Sequence, residues 1–259
     1  MPYVRAGGGA VAYEVSGSGP PVLLIPGVPC RAHHMARLAA ELDDSCRVIR
    51  VDLPGFGSSS PTRVASKEAF AGRILEAMAK LRLDDVTVVG HSMGAVVAAE
   101  VALQGAGRVG ALGLLACIGS RPHDSLRRSQ IPFQALAERF DGDDREQALD
   151  EAEAHFRRIH FRGMARGECE QAIRFIHQLD FAAVPQVLHQ LEVPTMMAFA
   201  DDDQSIEPEI RQVLQHWAPP GLVLRWPTGG HSVHVTRARE IAEGMLAWRA
   251  GLLQGAAAS

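Results

Sequence analysis

Short apolar runs alternate with longer amphipathic stretches along most of the chain. Three strand-like segments separated by turn residues open the sequence, at residues 3–6, 10–15 and 22–25, and they predict a β-hairpin that leads into a sheet. Further apolar runs lie at 48–51, 86–89, 111–116, 195–199 and 223–226. Helical stretches follow several of them, at 66–83, 95–104 and 237–252. Because strands that are apolar on both faces and are separated by helices are typical of parallel sheets, we predict an α/β fold with a mostly parallel, doubly wound sheet.

The stretch from Gly119 to Leu191 has a different pattern. It contains no strand-like run, its charges are dense, and its apolar residues recur with helical spacing. We therefore predict an all-helical insertion at 119–191 between two parts of one core, 1–118 and 192–259. A dimerisation surface, or simple helical coverage of the sheet, is the alternative interpretation of this segment.

Composition limits the classes of function. The chain has 259 residues, 47% of them hydrophobic, with a formal net charge of −4, so it can bury a full core and offers no polycationic surface for nucleic acid. Its first residues lead into a Gly-rich turn instead of the apolar core of a signal peptide, no apolar run is long enough for a membrane span, and its four cysteines are widely spaced. We expect a cytoplasmic protein without a membrane or nucleic-acid partner.

The strongest local motif is Gly90-His91-Ser92-Met93-Gly94, which lies between a predicted strand and a predicted helix. A serine on such a sharp turn is exposed at the end of the sheet, and the small residues on both sides let other segments approach it closely. The N-terminus of the following helix favours developing negative charge. The motif predicts a serine nucleophile; an ordinary Gly-rich turn is the alternative.

A serine nucleophile requires a histidine base and an acid that orients it. Asp201, Asp202 and Asp203 follow the penultimate predicted strand, and His231 follows Gly229-Gly230 after the last one. The chain order serine, aspartate, histidine is the one that strand-turn-helix nucleophiles of this kind use. His234 is the alternative base, and a solvated acidic loop is the alternative interpretation of the aspartates.

With these motifs the chain resembles the α/β-hydrolase superfamily from Tyr3 to about Ala247. The similar stretches are residues 12–15, 17–20, 23–29, 52–58, 90–94 and 230–231. The resemblance implies that Asp203 is the acid, with Asp202 as the alternative, and that the backbone N–H groups of Val28 and Met93 form the oxyanion hole. It also implies that the 119–191 insertion is a cap or lid over the serine.

Two features qualify this resemblance. The family carries a histidine before the glycine of the first oxyanion loop, whereas this chain has Pro26, which leaves open what holds the loop. Residues 105–110 match G-x-G-x-x-G, but a predicted helix precedes them and a strand follows, the reverse of a dinucleotide site. We therefore predict no cofactor, and no metal-ligand motif is present.

The sequence predicts a serine hydrolase that cleaves a small carboxylic ester, lactone or thioester through an acyl-enzyme. In this interpretation Ser92 attacks, His231 transfers the proton and Asp203 orients the imidazole. A carbon-carbon bond hydrolase with the same triad, a cofactor-free haloperoxidase-like or oxygenase-like enzyme, and a hydrolase-like ligand receptor with slow turnover remain alternatives. The expected partner is a small-molecule substrate, and a homodimer is left open.

Overall fold

The computed structural model describes residues 1–159, 161 and 163–258. Eight strands form one sheet in the order β1-β2-β4-β3-β5-β6-β7-β8. Their bounds are β1 Tyr3–Ala6, β2 Gly9–Ser16, β3 Pro21–Ile25, β4 Arg47–Val51, β5 Val86–His91, β6 Val109–Leu115, β7 Thr195–Ala200 and β8 Val223–Trp226. The first two strands form an antiparallel hairpin, β2 pairs antiparallel with β4, and all other pairs are parallel. The predicted fold class and its opening hairpin are confirmed.

The α-helices follow the strands in the expected alternation. Their bounds are α1 Ala36–Leu42, α2 Lys67–Lys80, α3 Met93–Gln104, α4 Asp124–Ser129, α5 Phe133–Arg139, α6 Arg145–Arg158, α7 Arg166–Gln178, α8 Val184–His189, α9 Pro208–Trp217, α10 Val233–Thr236 and α11 Ala238–Ala258. In the described part of the chain, none of these helices has the length and apolarity needed to cross a bilayer.

Successive strand residues pack into two different apolar cores, one on each face of the sheet. In β3, Leu23 and Ile25 belong to the larger core with the buried side chains of α2 and α3. Val22 and Leu24 belong to the smaller core with α1 and α11. This two-residue period explains why the central strands are apolar at most of their positions.

Local sequence explains where two of the helices begin. The side chain of Ser66 accepts a hydrogen bond from the backbone N–H of Ala69, so the predicted helix at 66–83 starts after a serine N-cap. Helix α3 begins at Met93, two residues before the predicted start, because the turn at Ser92 itself forms its N-cap position.

The segment predicted as an insertion contains helices α4 to α8 and, among its described residues, no strand beyond an isolated bridge between Gly119 and Arg121. Helices α5, α6 and α7 pack on one another, and their buried apolar side chains join the larger core. Helix α8 packs on α3 and α9. The division at 119–191 stays a prediction, and His160 and Arg162 within it, like Ser259 at the end of the predicted core, lie outside the described residues.

Candidate active site

Ser92 lies in a strained turn between β5 and α3. Its backbone has φ 54° and ψ −124°, in a region that residues with a side chain seldom occupy. A Cβ on Gly90 would collide with the carbonyl oxygen of Gly94, and a Cβ on Gly94 would collide with that of Pro26. Both glycines are therefore needed for the close packing that holds this turn.

Three of the predicted side chains meet at one edge of the sheet. The Oγ of Ser92 lies 2.9 Å from Nε2 of His231, and Nδ1 of His231 lies 3.0 Å from Oδ2 of Asp203. These residues follow β5, β8 and β7, whose carboxyl ends face the same edge because the strands are parallel. With Nδ1 donating to the carboxylate, Nε2 is free to accept a proton from the serine hydroxyl.

Asp203 is held as a carboxylate. Its side chain is fully buried, and its Oδ1 accepts hydrogen bonds from the backbone N–H groups of Ser205, at 2.7 Å, and Ile206, at 3.1 Å. Burial acts to raise the pKa of this carboxyl, but the hydrogen bond and charge of His231 and the two backbone donors outweigh it. The pKa of Asp203 therefore lies below its ordinary value.

The other two aspartates of the triplet have separate contacts. Oδ1 of Asp202 accepts a hydrogen bond from the backbone N–H of Gly230 at 2.8 Å, so this side chain braces the turn before His231. Asp201 forms an ion pair with Arg225 at 2.7 Å. Neither carboxylate contacts the imidazole of His231.

His234, the alternative base, is buried beside a second histidine. Its ring centroid lies 4.0 Å from that of His91, and its Nδ1 has no hydrogen-bond partner among the described residues. Burial, followed by repulsion from His231, lowers the pKa of His234 to about 4. The structure does not bring this ring into contact with Ser92.

His91 has a contact that the sequence motif did not reveal. Its Nε2 lies 2.9 Å from the backbone carbonyl oxygen of His231, and because a carbonyl only accepts, Nε2 carries the proton. Burial, then the nearby His234 and His231, lowers the pKa of His91 well below its ordinary value, so the ring is neutral. The sequence offered one signal for this contact, because His91 is a polar residue at the end of a strand that is otherwise mostly apolar and is buried throughout. His91 therefore anchors the loop that presents His231.

The two proposed oxyanion donors lie beside the serine. Val28 and Met93 line the same cavity as Ser92. Met93 is the first residue of α3, so its N–H has no intrahelical acceptor, and within the described ranges no backbone acceptor pairs with the N–H of Val28. The loop with Pro26 is closed by a hydrogen bond from the N–H of Cys30 to the carbonyl of Gly27, at 2.7 Å.

A buried carboxylate ties this loop to the helical segment. Glu168, on α7, accepts from Nε of Arg31 at 2.8 Å, and it also accepts from the backbone N–H groups of Gly57 and Ala165, both at 2.8 Å. Burial acts to raise the pKa of Glu168, but these donors lower it below its ordinary value. Sequence reasoning missed this contact, because residues 31 and 168 are distant in the chain and belong to no shared motif. Because Arg31 directly follows the loop that has Pro26 in place of a histidine, this contact ties the end of that loop to α7.

Ser92 lines a mostly apolar cavity of about 260 Å³. Its walls combine residues of the sheet edge with residues of the helical segment, and none of the described lining residues is an Asp, Glu, Lys or Arg. The polar lining residues other than Ser92 and His231 are His123, Ser125, Ser129 and Ser205. Among the residues that the structure describes, no group of three or more His, Cys, Asp or Glu side chains is placed to hold a metal ion.

Comparisons with known proteins agree with this fold. A family model described as "Alpha/beta hydrolase family" matches residues 22–244. The chain superposes with a TM-score of 0.76 on a thermophilic esterase from Thermogutta terrifontis, with 24% identity over 97% of this chain and 99% of that one. At this identity the likeness is one of fold.

Two curated relatives match in different ways. A pimeloyl-[acyl-carrier protein] methyl ester esterase of Methylococcus capsulatus is 40% identical over 102 residues, which span 39% of this chain and 39% of that protein. The match therefore covers well under half of that relative. The (E)-2-((N-methylformamido)methylene)succinate hydrolase of Acinetobacter baylyi is 22% identical over 91% of this chain and 92% of its own length.

Proposed function

Since the chain belongs to the alpha/beta hydrolase family, we propose that it is a serine hydrolase that cleaves small, uncharged carboxylic esters, lactones or thioesters through an acyl-enzyme. The observation that carries the proposal is the chain of hydrogen bonds from Ser92 through His231 to Asp203, together with the mostly apolar cavity that Ser92 and His231 line. Ser92 is the nucleophile, His231 the general base and acid, and Asp203 the residue that orients and stabilises the imidazolium.

Acylation begins when Nε2 of His231 takes the proton of the Ser92 hydroxyl. The serine Oγ then forms a bond with the carbonyl carbon of the substrate, whose oxygen becomes an oxyanion. The backbone N–H groups of Val28 and Met93 donate to this oxygen, and one such donor typically contributes roughly 2.7 to 4 kcal/mol to the transition state. When the carbonyl re-forms, the bond to the leaving group breaks and the leaving group takes the proton from Nε2.

Deacylation repeats these steps with water as the nucleophile. His231 takes a proton from the water molecule, the hydroxide oxygen bonds to the acyl carbon, and Ser92 leaves with the proton returned by His231. Throughout, the Asp203 carboxylate keeps the proton of the neutral ring on Nδ1, which leaves Nε2 as the acceptor.

The cavity supports a substrate of limited size and without charge. Its volume of about 260 Å³ is below the range of roughly 300–1,000 Å³ that is usual for drug-sized ligands. A formally charged group would have no opposite charge among the described lining residues, and burying it there would be unfavourable. The esterase names of similar proteins agree with cleavage of an ester.

The direct test is turnover of 4-nitrophenyl acetate, butyrate and octanoate by the wild-type protein and by two serine variants. We expect hydrolysis by the wild type, a loss of at least about 10³-fold in Ser92→Ala, and wild-type rates in Ser58→Ala, a control on an exposed serine. Full activity in Ser92→Ala would rule out the acyl-enzyme route. Turnover of carbon-carbon substrates alone would favour the carbon-carbon hydrolase alternative.

A further inference from the structure

One polar side chain in the cavity has no part in the proposed mechanism. His123 follows β6 and forms the N-cap position of α4. It is buried, with 7% of its surface exposed, and it lines the same cavity as Ser92 and His231. A buried polar group in an apolar pocket needs a hydrogen-bond partner, so its contacts are informative.

The hydrogen bonds of His123 define its tautomer. Its Nδ1 accepts from the backbone N–H of Leu126 at 3.2 Å and lies 2.8 Å from Oγ of Ser125. A backbone N–H can only donate, so Nδ1 carries no proton. In the neutral ring the proton is therefore on Nε2.

The ring is neutral near pH 7. Burial, followed by repulsion from His231, lowers the pKa of His123 to about 4. Among the described residues, no group accepts a hydrogen bond from Nε2. Several polar atoms of the described chain are both buried and unpaired, but Nε2 of His123 is not one of them, so solvent can reach it. The N–H group is thus a donor accessible to solvent, on a residue that lines the mostly apolar cavity.

We propose that Nε2–H of His123 donates a hydrogen bond to an uncharged oxygen of the substrate, such as an ether or ketone oxygen, at a distance from the bond that is cleaved. His123 then selects esters with such an oxygen over all-carbon esters of the same length. This inference rests on the proposed function, because it assigns the substrate class of the same cavity.

Two substitutions separate the donor from the helix cap. In His123→Asn, the amide oxygen replaces Nδ1 as the acceptor for Leu126, but the donor at Nε2 is lost. In His123→Gln, the longer side chain places an N–H group near the Nε2 position, but the cap acceptor is lost. A purely structural role for His123 predicts a defect in the Gln variant, whereas the proposed role predicts one in the Asn variant.

The probes are 4-nitrophenyl hexanoate and its analogues in which carbon 4 or carbon 5 of the acyl chain is replaced by an ether oxygen. Dissociation constants are measured by calorimetry in the Ser92→Ala background, where the esters stay intact, and kcat/KM is measured with Ser92 present. We expect at least one ether ester to bind several-fold more tightly than hexanoate. His123→Asn should remove most of this preference, so that the ether ester and hexanoate bind about equally, and His123→Gln should retain most of it.

The outcomes distinguish this inference from the proposed function. An equal preference in the protein with His123 and in His123→Asn, a preference for hexanoate, or no binding of any ester would overturn the role of His123. A preference that depends on His123, without turnover of any ester by the protein with Ser92, would support His123 as a binding residue and refute the hydrolase proposal.

Discussion

Asp203→Asn is the substitution whose effect the structure defines most closely. The Oδ1 atom of Asp203 accepts two backbone N–H groups, from Ser205 and Ile206. In the asparagine, the amide oxygen must keep this position, because an amide NH₂ cannot accept from a donor. The NH₂ group then faces Nδ1 of His231, which is 3.0 Å from the second carboxylate oxygen in the native protein.

The consequence is a reversed tautomer. Nδ1 of His231 becomes an acceptor for the new NH₂ group, and the ring proton moves to Nε2, 2.9 Å from Oγ of Ser92. In this form the imidazole cannot take the serine proton. Triads with this tautomer lose roughly 10⁴-fold in kcat, which corresponds to about 5 kcal/mol of transition-state stabilisation.

The assay is kcat/KM for 4-nitrophenyl butyrate at pH 7.5, with Asp202→Asn as the matched control. The control keeps an oxygen that can accept from the N–H of Gly230, as Oδ1 of Asp202 does, so its rate should stay within about threefold of the wild type. Thermal unfolding of both variants checks that they fold. If Asp203→Asn kept more than a tenth of the activity while Asp202→Asn lost it, the acid would be Asp202 and the reasoning would be wrong.

Three further predictions concern stability. Because His123 and His234 have pKa values of about 4 when folded and about 6.5 when unfolded, the unfolded chain takes up protons that the folded chain excludes, and the free energy of unfolding should fall between pH 6.5 and 4. In urea titrations, His234→Leu should reduce this slope by about 1.4 kcal/mol per pH unit, and an unchanged slope would contradict the assignment. Gly94→Ala, whose Cβ meets a backbone carbonyl, should unfold or inactivate the protein, whereas Gly72→Ala, on an open part of α2, should raise the free energy of unfolding by up to about 1 kcal/mol; equal effects would refute the packing argument. Glu168→Gln removes the charge that pairs with a partly exposed guanidinium, and it should cost about 1–3 kcal/mol of unfolding free energy and lower kcat/KM; an unchanged midpoint and rate would show that this contact does not hold the oxyanion loop.

Periodicity in the sequence was sufficient to predict the fold class and the opening hairpin. The buried runs at 22–25, 48–51 and 86–89 are apolar at nearly every position, because each strand contributes side chains to both cores. Such runs are typical of strands that are covered on both faces. Because parallel strands end at the same side, the strand pattern also placed Ser92, the three aspartates at 201–203 and His231 at one edge of the sheet, and the resemblance to the α/β-hydrolase superfamily selected Asp203 among the aspartates. Their hydrogen-bond distances depend on loop conformations that periodicity does not encode.

Sequence patterns could not predict the contacts between segments that are distant in the chain. The bond from His91 to the carbonyl of His231, the ion pair of Arg31 with Glu168 and the cavity position of His123 all join residues that share no motif. The first depends on how the loop after β8 packs on the sheet edge. The other two depend on how the 119–191 segment packs there. Such packing follows from shape rather than from spacing along the chain.

The central claim is that Ser92 is an activated nucleophile. The most direct measurement is the intact mass of the wild-type protein and of Ser92→Ala after treatment with a fluorophosphonate, with Ser58→Ala as a control. We expect one phosphonyl adduct on the wild type and on Ser58→Ala, and none on Ser92→Ala. An adduct that persists in Ser92→Ala, or no adduct on a folded wild-type protein under conditions that label a known serine hydrolase, would contradict this claim.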